Sequence, residues 1–214
     1  MRTLFYSLLT LLFLVTLNSP TLAQDLTVKD RSIIELNMGL WGGPRVSNTI
    51  GAPGVRSVAD VSSFVGNILY AYGLREEMSV TVSAGVLSAG ASSNAGILGV
   101  QQQASTVIPI LLGIRYYVPA PEQDARIRPF VSVAVGPYIG IEASSSIGTT
   151  LVQESTTESA FGGRLGVGLD LFTGYRFKFV VNAGYNLMTN FSSPISARNN
   201  FDGGDFLIGV GYAF

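Results

Sequence analysis

The stretch "AFGGRLGVGLDL" at residues 160–171 fixes more about this chain than any other. With the two-residue period of a strand, Leu165, Val167, Leu169 and Leu171 share one face, and Arg164, Gly166, Gly168 and Asp170 share the other. One face is large and apolar; the other is glycine interleaved with charge. The same division recurs along the chain. Phe177, Phe179, Val181, Ala183, Tyr185 and Leu187 oppose Lys178, Val180, Asn182, Gly184, Asn186 and Met188. Val133, Val135, Ile139 and Ile141 oppose Ser132, Ala134, Gly136, Tyr138, Gly140 and Glu142. Val80, Val82, Ala84 and Val86 oppose Ser79, Thr81, Ser83 and Gly85. Ile108, Ile110, Leu112 and Ile114 oppose a face with Gly113 and Arg115, and Ile34, Leu36, Met38 and Leu40 oppose Glu35 and Asn37.

Such strands need a surrounding that takes the apolar face. Charged residues are only 13% of the 214-residue chain, about half the globular average, while apolar residues reach 47%. A soluble barrel would turn the large side chains inward, yet an eight-stranded barrel has little room inside. The glycine-rich face would also make a poor water-facing coat. The expectation is apolar side outward, into lipid.

Helices offer no other route across a membrane. The first apolar run, "LFYSLLTLLFLVTL" at 4–17, has 14 residues, short of the ~20 of a spanning helix. It follows Arg2 and precedes the small residues of "NSPTLA", the layout of a secretory signal peptide, so residues 1–23 are expected to be removed after Ala23. Removal leaves 12 basic and 14 acidic residues, net −2, with no basic patch for nucleic acid. No later segment approaches 18 apolar residues. Without spanning helices, the structure that satisfies every backbone group in lipid is a closed β-barrel.

Turn residues divide the rest into eight strands. These are expected at 32–41, 64–74, 78–90, 106–118, 128–143, 160–171, 176–188 and 205–214. Between them lie long loops at 42–63, 92–105, 144–159 and 192–205, alternating with short links at 75–77, 119–127 and 172–175. Alternating long and short connections mark an antiparallel transmembrane up-and-down barrel with extracellular loops and periplasmic turns. Both termini are then periplasmic, with residues 24–30 a loose lead-in and 31–214 the barrel. The last strand, "DFLIGVGYAF", is expected beside "SIIELNMGLW", which closes the sheet and removes its edges. Pro137, mid-strand and without an N–H, is expected to mark a bulge or register shift.

Six charges carry inward parity. Glu35, Glu142 and Asp170 balance Arg115, Arg164 and Lys178, as buried charges must be balanced. Asp170 and Lys178 should face each other if their hairpin centres near Gly174, and Glu142 and Arg164 lie on neighbouring strands. A neutral network of this kind is expected to plug the lumen. Aromatics form two bands: Tyr70, Tyr72, Tyr116, Tyr117, Phe177, Phe179, Tyr212 and Phe214 at the periplasmic end, and Trp41, Phe64, Tyr138, Phe161, Tyr185, Phe191 and Phe206 at the outer end. Tyr117 and Tyr138 have inward parity.

Through "AFGGRLGVGLDL" and the closing "GVGYAF", the chain resembles the small eight-stranded bacterial outer-membrane proteins of OmpA/OmpX type over residues 31–214. In that family a terminal aromatic after alternating apolar residues is read by the barrel-assembly machinery. The resemblance therefore assigns an assembly signal to Gly209, Tyr212 and Phe214, although Leu207 stands where a polar residue is frequent. Its partners would be outer-membrane lipids, the assembly machinery during biogenesis, and a surface ligand of unspecified kind.

The remaining motifs point to no chemistry. "GGRLGVG" lacks the strand–helix context and the Lys-Ser/Thr of a phosphate loop. "NNFDGGD" offers Asp202 and Asp205 without the ligand spacing of a calcium loop, and reads as a surface loop. "NFS" at Asn190 is a sequon without meaning in a bacterial outer membrane. The chain has no cysteine and no histidine, which removes thiolate metal sites and the usual general base. No enzyme, cofactor or metal site is expected. The function expected is a structural or surface-interaction role, with a narrow or gated channel for small or hydrophobic solutes as the alternative.

Overall fold

The computed structural model describes residues 28–42, 63–96, 99–119, 126–147, 151–195 and 198–214. The expected signal segment at 1–23 and most of the expected loop at 42–63 lie outside these. The described elements are β1 (Ser32–Gly42), β2 (Ser63–Arg75), β3 (Met78–Gly96), β4 (Gly99–Tyr117), β5 (Ile127–Ile147), β6 (Leu151–Phe172), β7 (Phe177–Met188) and β8 (Gly203–Ala213). Each pairs antiparallel with the next, and β1 also pairs with β8 from Ile33↔Ala213 to Gly42↔Gly204, which closes the barrel. Closure leaves no unpaired edge within the belt where all eight strands run together.

The expected parity holds on every strand assigned. Ile34, Leu36, Met38 and Leu40 on β1 are exposed, as are Leu165, Val167 and Leu169 on β6 and Phe206, Ile208, Val210 and Tyr212 on β8. A continuous apolar belt of this extent requires lipid. Aromatics rim it: Tyr70, Tyr72, Tyr116, Phe177, Tyr212 and Phe214 at the end carrying the termini, and Phe64, Phe161, Tyr185 and Phe206 at the opposite, loop end. Phe179 is half-buried. Trp41 and Phe191, expected in the outer band, are instead inside the barrel at 3% and 4% exposure, along with Tyr117 and Tyr138. Trp41 has the odd parity of Glu35 and Asn37, so its inward direction was already implicit in β1.

Two expected loops are strands. Pairing between β3 and β4 continues to Gly96↔Gly99, and between β5 and β6 to Ile147↔Leu151. Both segments are rich in Ser, Thr and Gln, with no apolar face to alternate, so they read as loops.

Pro137 produces no bulge. The β4–β5 pairing lapses between Pro109↔Tyr138 and Leu112↔Val135 and resumes in the same register, so the missing N–H interrupts the ladder without shifting it. Bulges lie elsewhere, between Gly73 and Arg75 on β2 and between Ser88 and Gly90 on β3.

Within the lead-in expected to be loose, Val28 is buried while Lys29 and Asp30 are exposed; residues 24–27 lie outside the described residues. Val28 is 1% exposed, Asp30 N donates to Gly73 O at 2.9 Å, and Gly73 N donates to Arg31 O at 3.0 Å. The Val28 carbonyl occupies the place a Cβ would take at position 73, so glycine is required there. Asp30 adopts φ 57°, in the left-handed region that aspartate tolerates.

The interior is layered. At the terminal end Val28, Ile33, Ala71, Tyr117, Phe130, Phe172, Val180 and Ala213 form an apolar floor. At the loop end Trp41, Val65, Leu87, Val107, Leu111, Tyr138, Phe191, Ile195, Phe201 and Leu207 form a second apolar cluster. Polar residues lie between them.

Candidate functional site

Four of the six predicted interior charges meet in one cluster. Glu35 comes from β1, Arg115 from β4, Asp170 from β6 and Lys178 from β7, all with inward parity. Because an eight-stranded barrel is narrow, side chains from non-adjacent strands reach one another across it. Arg115 grips Glu35 with both ends of its guanidinium, Nη1–Oε1 at 2.6 Å and Nη2–Oε2 at 3.0 Å. Lys178 Nζ lies 2.6 Å from Glu35 Oε1 and also pairs with Asp170 Oδ2. Arg115 Nη1 reaches Asp170 Oδ2 at 3.4 Å, and the Tyr117 hydroxyl donates to the same oxygen at 2.8 Å. All four charged side chains are at most 2% exposed. Two acids and two bases make the cluster neutral, the condition under which buried ions persist.

The aromatic floor continues this layer. The Arg115 guanidinium lies 4.2 Å from the Phe130 ring centre, and Lys178 Nζ lies 5.8 Å from that of Phe172. Lys178 does not face Asp170 directly. The register sets Lys178 against Phe172 and Asp170 against Val180, so the hairpin centres one residue later than expected and the pair forms on the diagonal.

Arg164 belongs to a second cluster and not to Glu142. Its Nε donates to Asp205 Oδ2 at 2.9 Å, and its Nη2 to Asp205 Oδ1 at 2.5 Å and to Asn182 Oδ1 at 3.0 Å. Asn186 Nδ2 donates to Asp205 Oδ2 at 2.7 Å, and the Tyr138 hydroxyl to Asn186 Oδ1 at 3.0 Å. Glu142 is half-buried and opposite Thr156, eight positions from Arg164 along β6, well outside ion-pair reach. Asp205 stands both at the end of the expected loop 192–205 and at the start of the expected strand 205–214. Parity with Leu207, Gly209 and Gly211 was the signal that places it inside.

Between the two clusters lies a cavity of about 50 Å³, lined by Asn37, Asn67, Thr81, Ser132, Arg115 and Arg164 among others. Asn37 Oδ1 and Arg115 Nε, both buried, have no hydrogen-bond partner among the described residues. Polar side chains share this lining with Val65, Leu87, Leu111 and Leu207, and the space is large enough for a few water molecules.

Glycines let the clusters form. A Cβ at Gly166 would lie 2.9 Å from Arg164 Nη1 and 2.8 Å from Ser132 Oγ, and one at Gly211 would lie 2.8 Å from Lys178 Cε. The glycine face seen in the sequence is therefore room for long charged side chains from neighbouring strands. Gly209, Tyr212 and Phe214, predicted as an assembly signal, sit on β8 and at its end, with Gly209 facing in and both aromatics facing out.

Comparison with curated proteins found no match. Among solved structures, Ail of Yersinia pestis, the attachment invasion locus protein in complex with the heparin analogue sucrose octasulfate, is 13% identical with a TM-score of 0.52, covering 87% of this chain and 99% of that one. Neisserial surface protein A is 11% identical with a TM-score of 0.51, covering 87% and 98%. The N-terminal β-barrel domain of Pseudomonas aeruginosa OprF is 12% identical with a TM-score of 0.46, covering 87% and 98%. For Ail and Neisserial surface protein A, at these identities, the likeness is one of fold. Residues 9–214 match the family described as the outer membrane protein beta-barrel domain. With the closed eight-stranded barrel and its exposed apolar belt, this match establishes that the chain belongs to that family and is a protein of the bacterial outer membrane.

Proposed function

We propose that this protein is a non-enzymatic outer-membrane barrel whose lumen is closed by its own side chains and which acts through the surface it presents at its loop end. The observation that carries the reading is the neutral Glu35–Arg115–Asp170–Lys178 cluster, which crosses the barrel from β1 to β4, β6 and β7. A hydrated pore of solute size has no room beside four side chains in mutual contact. The termini face the periplasm and the loop end faces outward, where the β3–β4 and β5–β6 hairpins rise past the last residues of β1 and β7. Gly209, Tyr212 and Phe214 serve recognition by the assembly machinery, and the aromatic rims anchor the barrel in outer-membrane lipid.

Planar-bilayer recording of the refolded wild-type protein tests the closed lumen. The expected record has no steady channel openings. Regular large openings overturn the closed reading and favour a narrow or gated channel.

A further inference from the structure

We infer that the connection between β7 and β8, through its described residues 189–195 and 198–202, seats a hydrophobic stopper in the loop-end mouth, a second seal in series with the ion cluster. This rests on the closed-lumen reading and adds to it. Phe191, Ile195 and Phe201 are each at most 4% exposed, although the segment connects two strands at a water-facing end. They pack against Trp41, Tyr138 and Leu207 of the barrel wall. Phe201 lies 5.9 Å from Trp41 and 6.1 Å from Phe191, centre to centre. The Arg198 guanidinium covers both the Trp41 ring, at 5.2 Å, and the Phe201 ring, at 5.7 Å.

The seat is shaped for this segment. A Cβ at Gly140 would lie 3.0 Å from Ile195 Cγ1 and 3.2 Å from Phe191 Cζ, so glycine on β5 leaves the space those two side chains fill. The segment is also tied down. Asp202 Oδ1 accepts from Met188 N at 2.7 Å, Phe191 N donates to Asn199 O at 2.7 Å, and Ile195 and Arg198 exchange backbone hydrogen bonds at 2.9 and 3.0 Å. Below the stopper lies the cavity with the Arg164–Asp205 pair, and below that the ion cluster. Two seals in series have a distinct consequence: breaching either one leaves the other to block the path.

The chain has a single tryptophan, Trp41, which reports directly on the stopper. In the folded wild-type protein Trp41 emission should be blue-shifted and resist acrylamide quenching. Free quenching in the folded wild type overturns the proposal without any variant. Phe191→Ser/Phe201→Ser should raise the quenching constant several-fold yet leave bilayer conductance at the wild-type level. Glu35→Ala/Arg115→Ala, which keeps the Asp170–Lys178 pair, should leave both quenching and conductance unchanged. The four substitutions together should conduct. Conductance from either double variant equal to that of the fourfold variant refutes series seals while leaving the closed wild-type lumen standing; a conducting wild type refutes the closed-lumen reading itself. Each variant is scored only as its heat-modifiable folded band. If the fourfold variant yields none, wild-type quenching and the two double variants still decide.

Discussion

Replacing Arg115 by methionine tests whether the ion cluster behaves as one neutral unit. Arg115 makes both guanidinium contacts to Glu35, at 2.6 and 3.0 Å, and a 3.4 Å contact to Asp170. Without it, two buried carboxylates share the single ammonium of Lys178. Removing one partner of a buried ion pair destabilises a protein by about 3–5 kcal/mol, because the other charge stays buried without compensation. Arg115→Met should therefore lose about 4 kcal/mol. At a typical urea dependence of ~2 kcal/mol per molar, the unfolding midpoint falls by roughly 2 M. Glu35→Met/Arg115→Met removes both charges and leaves Asp170 with Lys178, a neutral pair. Apolar replacement of a whole buried pair is often neutral or stabilising. The double variant should accordingly recover at least about 2 kcal/mol of the single variant's loss, a coupling expected of directly touching residues. The assay is urea titration of the protein in phospholipid vesicles, read by the fraction of folded electrophoretic band and by Trp41 emission. A midpoint shift below about 0.5 M for Arg115→Met, or a double variant as unstable as the single, refutes the reasoning.

Other consequences are open to the same measurements. Gly140→Leu should push Phe191 and Ile195 off their seat and red-shift Trp41 emission while the barrel stays folded, since the atoms in its way are side-chain ends. Gly162→Ala should reduce the folded fraction strongly, because its Cβ would lie 2.7 Å from Met188 Cβ and 2.9 Å from Met188 Cα; Gly204→Ala, with nothing closer than 3.7 Å, should change the unfolding free energy by less than about 0.5 kcal/mol. Asp205→Asn keeps the shape but leaves Arg164 without its carboxylate, and should lose about 2–4 kcal/mol in the urea titration. Phe214→Ala should lower the amount of folded barrel assembled in cells while refolding in vesicles stays near wild type; equal losses in both settings would remove the assembly role and leave only an interfacial anchor.

The sequence by itself determined the class of fold. Period-two alternation fixes which side chains share a face, as Leu165, Val167 and Leu169 show against Gly166, Gly168 and Asp170. Low charge and the lack of spanning helices send the large face into lipid. Parity likewise put Glu35, Arg115, Asp170 and Lys178 inside, since a one-residue slip would turn every side chain over. Parity says nothing about height along the barrel or about which strands meet across it. Glu142 and Arg164 share a direction, yet the register holds them eight positions apart, and Arg164 closes on Asp205 of a strand two away. Polar strands such as Gln101–Gln103 gave no apolar alternation to read. Phe191, Ile195 and Phe201 gave none either: they lie in a connection, and their burial depends on the mouth formed by Trp41, Gly140 and Leu207. Local pattern fixes direction; only closure of the barrel decides distance, and distance decides which charges pair and what seals the lumen.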